Sequence, residues 1–178
     1  AAVRDTERLM QVQVTDIGAD VTGPRQAHHR IHVRAVEVDL TVGGGDATLN
    51  SLPAGKNSVF PGSPRLDDLV AQVKAKGPVS QVFVDRTRYT GANLAPGVLP
   101  GDVGEGYISP ITSLMMDGAR QDPTKDRSPR SQDPPKAVAA EFAKRVGAAV
   151  APNPDVTAPA GAQVLGEVKS APLTELVD

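Results

Sequence analysis

Leu66, Leu69, Val70 and Val73 recur at i, i+3, i+4 and i+7, a spacing that gathers all four on one side of a helix. The residues on either side agree. Ser63 can cap the first turn, Pro64 suits the first helical position, and Asp67 and Asp68 lie near the positive end of the helix dipole. Gly77 and Pro78 then close the helix. Beyond them Val82 and Val84 alternate as a short strand. Ahead of the helix, Ile31, Val33 and Ala35 alternate in one phase, and Val36, Val38, Leu40 and Val42 in the other. A slip of one residue flips the buried face, so residues 31–42 are either two strands or one strand with a bulge at Ala35–Val36. Strand, helix, strand in that order predicts a split or crossover unit within an α+β lobe on a mixed sheet.

The remainder is arranged around Val82 to Asp117. This stretch leaves the strand, crosses a Pro/Gly-rich passage from Arg86 to Gly106, and ends in a short apolar element, Tyr107 to Met116. Residues 119–135 carry the charge-rich QDPTKDRSPRSQDP and are predicted to be an exposed linker. A second helix opens with Asp133 as cap and Pro134 behind it, and aligns Val138, Phe142 and Val146. Ala151–Ala162 is expected to be a Pro/Ala-rich loop and Gln163–Lys169 a last strand. The expected division is therefore a lobe over 28–118, a linker over 119–135, and a helix with a return strand completing the lobe over 136–178. Residues 1–27, where Leu9, Val12, Val14 and Ile17 fit neither period, form a poorly defined segment. Ser170–Leu173 begins like a helix, yet Asp178 follows after barely two turns, which reads as a cut at a boundary. The start at Ala1 reads as a mature or excised product.

Composition removes several function classes. A formal net charge of -2 leaves no bulk basic field for nucleic acid or an anionic membrane. Aromatics at 3% with no Trp argue against a stacking platform for bases or sugars. With no Cys there is neither a disulfide framework nor a thiolate metal site.

The remaining constellations are weak. His28 and His32 could offer two imidazoles to zinc on a helix, with His29 beside them. On a strand they stand about 13 Å apart, so no metal is expected, and no cofactor either. Gly43-Gly44-Gly45-Asp46 follows a strand but matches no phosphate-loop spacing, which leaves a turn. Lys125, Arg127 and Arg130 are offset by Asp122, Asp126 and Asp133 and read as a solvated segment. Tyr107 and Asp117 bracket an apolar run. Taken alone, a tyrosine there is an anchor sooner than a ligand contact.

Several stretches, in order, resemble the actinobacterial D-alanyl-D-alanine carboxypeptidase/endopeptidases, the class C low-molecular-mass penicillin-binding proteins. They are LTVGGGDATL, RLDDLVAQVKAKG, VFVDRTRYTG, LAPGVLPGD, GYISPITSLMMDGAR and VLGEVKSAPLTELV. The resemblance runs from about His28 to Val177. It implies a transpeptidase-like catalytic domain with large insertions between its first two active-site motifs. There a serine of S-x-x-K attacks the D-Ala-D-Ala carbonyl, supported by S-x-N and K-T-G. This chain contains none of the three motifs. Asp5-Thr6-Glu7-Arg8 falls near the expected place of S-x-x-K, with Asp for Ser and Arg for Lys.

The resemblance therefore implies an insertion region: a mixed-sheet α+β lobe with at least two helices. Its implied role is to frame the active-site cleft and the wall peptide without catalytic residues of its own. By position, Tyr107, Ser109 and Asp117 correspond to a substrate-cleft rim. Val98 stands where the family usually has Trp. The implied partners are the catalytic transpeptidase-like domain of the same enzyme and the peptidoglycan stem peptide, outside the cytoplasmic membrane. Two rival readings are a free-standing cell-wall binding or protein-interaction module and a metal enzyme built on the histidines.

Overall fold

The computed structural model describes residues 30–36, 39–43, 48–56, 59 and 62–169. Residues 31–42 resolve as two strands. β1 (Arg30–Val36) and β2 (Asp39–Gly43) form an antiparallel hairpin that pairs Val36 with Asp39 and Val33 with Val42. The phase change at Ala35–Val36 thus marks the approach to a chain reversal. After β3 (Thr48–Leu49) come α1 (Leu66–Lys74) and β4 (Gln81–Asp85). The chain then makes a long excursion through α2 (Pro100–Gly104) and β5 (Met115–Met116) before α3 (Pro134–Val146), β6 (Ala149–Asp155) and β7 (Gln163–Lys169).

Five strands form one mixed sheet in the order β6-β4-β2-β1-β7, with β2, β4 and β6 parallel and β1 antiparallel to both neighbours. β3 and β5 make a separate parallel pair. Both crossovers, β2-α1-β4 and β4-α3-β6, step the same way across the sheet. A common handedness then sets both helices on one face. Their inner sides and the sheet close a core in which Leu66, Leu69, Val73, Val82, Val84, Val138 and Phe142 have no exposed surface. Burying a side chain of that size stabilises by roughly 1.5–3 kcal/mol, which makes this layer the main source of stability.

Two expectations are corrected. Ser63 does not cap α1: the helix begins at Leu66, the flanking residue is Arg65 in extended conformation, and no side chain caps it. Pro64 and Arg65 instead run beside Asn50, whose N–H donates to the Pro64 carbonyl and whose carbonyl accepts from the Leu66 N–H. A passing strand satisfies one of the helix's orphan donors. The expected loop from Ala151 is β6 as far as Asp155. Pro152 and Pro154 are tolerated because β6 is an edge strand, where a missing N–H breaks no ladder on the open side.

α3 starts as expected, with the Asp133 carboxylate accepting from the Lys136 N–H. It stops at Gly147, whose φ of 84° is the left-handed cap that favours glycine. Arg145 fastens the layers by donating to Glu141 on its own helix, to Asp67 of α1 and to the Ser51 carbonyl beyond β3.

Candidate functional site

β4 delivers the chain into the 48-residue excursion over 86–133, and its last residue secures the exit. Asp85 is buried, accepting from the N–H and hydroxyl of Thr87 through one oxygen and from the Ala158 N–H through the other. Arg86 then clips the two ends of the excursion together. Its guanidinium donates to both carboxylate oxygens of Asp133, at 2.7 and 3.0 Å, and to Asp155 of β6 at 2.5 Å. Burial pushes the Asp133 carboxyl up, but hydrogen bonds from Arg86 and the Lys136 N–H, with their charges, leave it below the usual range.

The middle of the excursion holds Tyr107, Ser109 and Asp117, which the family resemblance assigns to a cleft rim. Tyr107 is 62% exposed, just past α2, its N–H bonded to the Asp102 carbonyl. The Arg127 guanidinium lies 4.4 Å from its ring centre and donates to the phenol oxygen at 2.6 Å. Ser109 spends its hydroxyl proton on the Gly118 carbonyl at 2.6 Å, a positioning bond. Asp117 is 1% exposed and faces inward, where its carboxylate accepts from the Ser51 N–H at 3.1 Å. Burial drives this carboxyl upward, ahead of the opposing pull of Ser51, Arg145 and Arg120. The structure therefore joins Ser109 to the turn at Asp117 and leaves Tyr107 apart, on the surface.

That turn is unusual. Asp117, Gly118 and Ala119 have φ of 53°, 60° and 61°, three left-handed residues in a row of which two carry a Cβ. Each non-glycine residue held so costs on the order of 1–3 kcal/mol, and such strain persists only where surrounding contacts over-determine it. Those contacts are present. Besides Ser109, Arg130 donates to the Gly118 carbonyl at 2.8 Å and Arg120 to the Asp117 carbonyl at 3.1 Å.

Of the charged segment expected to be an exposed linker, residues 121, 124–127, 129 and 132 are exposed while Ala119, Ser128, Pro134 and Pro135 are buried, and its backbone is tied at several points. Gln121 donates to the Pro129 carbonyl, Ser131 to that of Ala119 and Arg130 to that of Val103, and Ser128 is 2% exposed. Two open grooves flank this framework. One, of about 400 Å³, is lined by Arg86, Tyr89, Asn93, Ile111 and Thr112 among others. The other, of about 390 Å³, lies between the excursion and the start of α3, with Arg120 and Arg130 in its wall.

Sequence reasoning missed Arg86, Asp133 as its partner, Ser51 and Arg130 as a clamp. Nothing in local spacing signals them, because their partners lie far off in the chain. The histidine reading falls outside the described residues for His28 and His29, while His32 is part of β1. Among the described residues no three His, Cys, Asp or Glu side chains are grouped to hold a metal ion.

Comparison with known proteins places the chain's sequence in a lineage. The chain is 39% identical over 137 residues to carboxypeptidase Rv3627c of Mycobacterium tuberculosis, covering 76% of this chain and 30% of that protein. It is 40% identical over 139 residues to carboxypeptidase DacB of Mycolicibacterium smegmatis, covering 75% of this chain and 29% of that one. It thus spans about 30% of the length of the curated relatives it matches. No solved structure matches it. The model of one peptidase family matches residues 28–156, most of the chain and nearly all of the described framework. The chain belongs to the D-Ala-D-Ala carboxypeptidase 3 (S13) family.

Proposed function

We propose that this chain is an accessory, non-catalytic lobe of a peptidoglycan D-Ala-D-Ala carboxypeptidase/endopeptidase of the class C penicillin-binding type, working outside the cytoplasmic membrane. The observation that carries the reading is a conjunction. The family model matches residues 28–156, while the chain has no S-x-x-K, S-x-N or K-T-G and covers under a third of its relatives. Acyl-enzyme chemistry needs a serine with its lysine three residues on, and no serine here has one. The catalytic transpeptidase-like domain of the same enzyme is then the lobe's partner, and the wall stem peptide its ligand.

Within the lobe, residues 86–133 form the side turned to the cleft. Tyr107 supplies the exposed contact, an amphipathic ring of the kind enriched at recognition surfaces. Ser109 and Asp117 act behind it by holding the left-handed turn in place.

Incubation with a fluorescent penicillin, read by intact mass, tests the non-catalytic assignment. No covalent adduct is expected. A stoichiometric adduct on any serine would overturn it.

A further inference from the structure

The five-stranded sheet ends in β6 on one side and β7 on the other. An open strand edge is a row of unpaired N–H and C=O groups that templates pairing with another chain. On β6 the register jumps from Val150 opposite Val82 to Asp155 opposite Val84, so Pro152 and Pro154 fall within a bulge that breaks up the edge. β7 has no proline and carries Val164, Leu165 and Val168. Its pairing with β1 skips Leu165, and residues 166–169 are the stretch left in continuous register.

In that stretch a side chain from α1 stands where a further strand would pair. The Gln72 amide donates to the Glu167 carbonyl at 2.9 Å and accepts from the Glu167 N–H at 2.9 Å. A neighbouring strand would meet this residue with the same two bonds, one given and one received. Gly166 makes the close approach possible, since a Cβ there would lie 3.1 Å from the Gln72 Cβ and 3.3 Å from its Oε1. Val164, two residues before it on the same strand, is 40% exposed. We propose that Gln72 is an edge guard, a side-chain substitute for a strand that keeps β7 closed to strand addition by a second copy of this chain. Two copies of one edge can meet antiparallel about a two-fold axis, each offering the other the groups it needs, which makes a second copy the partner to exclude. The guard is independent of what the excursion over 86–133 binds.

The test is Gln72→Ala. Alanine is the strongest helix former, so α1 keeps its conformation. Sedimentation velocity over a concentration series is expected to hold the parent at the mass of one chain and to carry the variant towards twice that mass. Adding Val164→Lys to the variant should return it to one chain, because an edge lysine opposes pairing. Hydrogen exchange on the parent should show the Glu167 amide protected, and in the dilute variant that amide should exchange about tenfold faster, as one hydrogen bond is lost. A folded Gln72→Ala chain that stays monomeric throughout, a parent that associates as strongly as the variant, or a dimer indifferent to the lysine would overturn the guard. Free exchange of the Glu167 amide in the parent would overturn it as well, and that reading does not depend on any variant folding.

Discussion

Two aspartates in this lobe answer acid in opposite directions. Asp117 is held in a dry setting that favours its neutral form, so its folded pKa lies above the unfolded one. Its contribution to stability is complete below the ordinary carboxylate range and is lost as pH rises through the folded value. Asp133, held by Arg86, has a lowered pKa, so its contribution is present at neutral pH and is lost as pH falls through the folded value. Melting Asp117→Asn and Asp133→Asn from about pH 3 to about pH 7 separates them. Asp117→Asn should lose least against the parent near neutrality, because the amide oxygen can still accept from Ser51. Asp133→Asn should be weaker by about 1 kcal/mol at neutral pH, with the gap closing in acid, since this pair is partly exposed. Asp117→Ala leaves the Ser51 N–H unpaired and forces alanine into a left-handed conformation, costing about 1–3 kcal/mol. Parallel pH profiles for the parent and both asparagine variants would refute the assignment of these shifts. The sequence marked Asp133 as a helix cap and Asp117 as the end of an apolar run. What each carboxylate touches depends on Arg86 and Ser51, which are 47 and 66 residues away.

At the scale of elements, legibility followed the range of the forces involved. The start and inner face of Pro134–Val146 are readable because cap and stripe are local, each within a turn or two of the next, whereas the stop at Gly147 emerges from the structure. The start of α1 is not readable, because its first donor is met by Asn50 and no neighbouring side chain competes for it. Residues 151–155 of β6 read as loop in sequence because proline normally breaks strands, and only the sheet order reveals that this strand is an edge. The charged segment after Ala119 depends on one close approach. Gly106 has a φ of 85°, and a Cβ there would sit 2.3 Å from the Ser128 carbonyl oxygen. Gly106→Ala should therefore detach the 121–131 segment while sparing the sheet. Hydrogen exchange would register faster exchange at the Gln121, Arg130 and Ser131 amides, with Val82 and Val84 still protected. Uniform loss of protection throughout would mean that the excursion and the sheet unfold as one unit.

For the whole molecule, the question is whether the excursion over 86–133 exists for the fold or for a ligand. The core closes without its exposed side chains: α1, α3 and the sheet supply nearly all the buried apolar surface, and Leu99, Tyr107 and Ile111 stand 55–66% exposed. The strained left-handed turn, clamped by two arginines and a serine, gives this surface a fixed shape, which the proposed role against a partner would use. Tyr107→Ala separates the two. Its ring contributes to the isolated chain chiefly through Arg127, an exposed cation–π contact of about 0.5–1 kcal/mol. The melting temperature of this 178-residue chain should therefore fall by no more than about 4 °C. Binding of a peptide ending in D-Ala-D-Ala, or of the separately expressed catalytic domain, should weaken by about tenfold or more, as expected of an exposed aromatic at the centre of a contact. A variant that binds both as the parent does would place the recognition surface elsewhere on the lobe. A variant that unfolds would return Tyr107 to the structural anchor that its isolated position in the sequence first suggested.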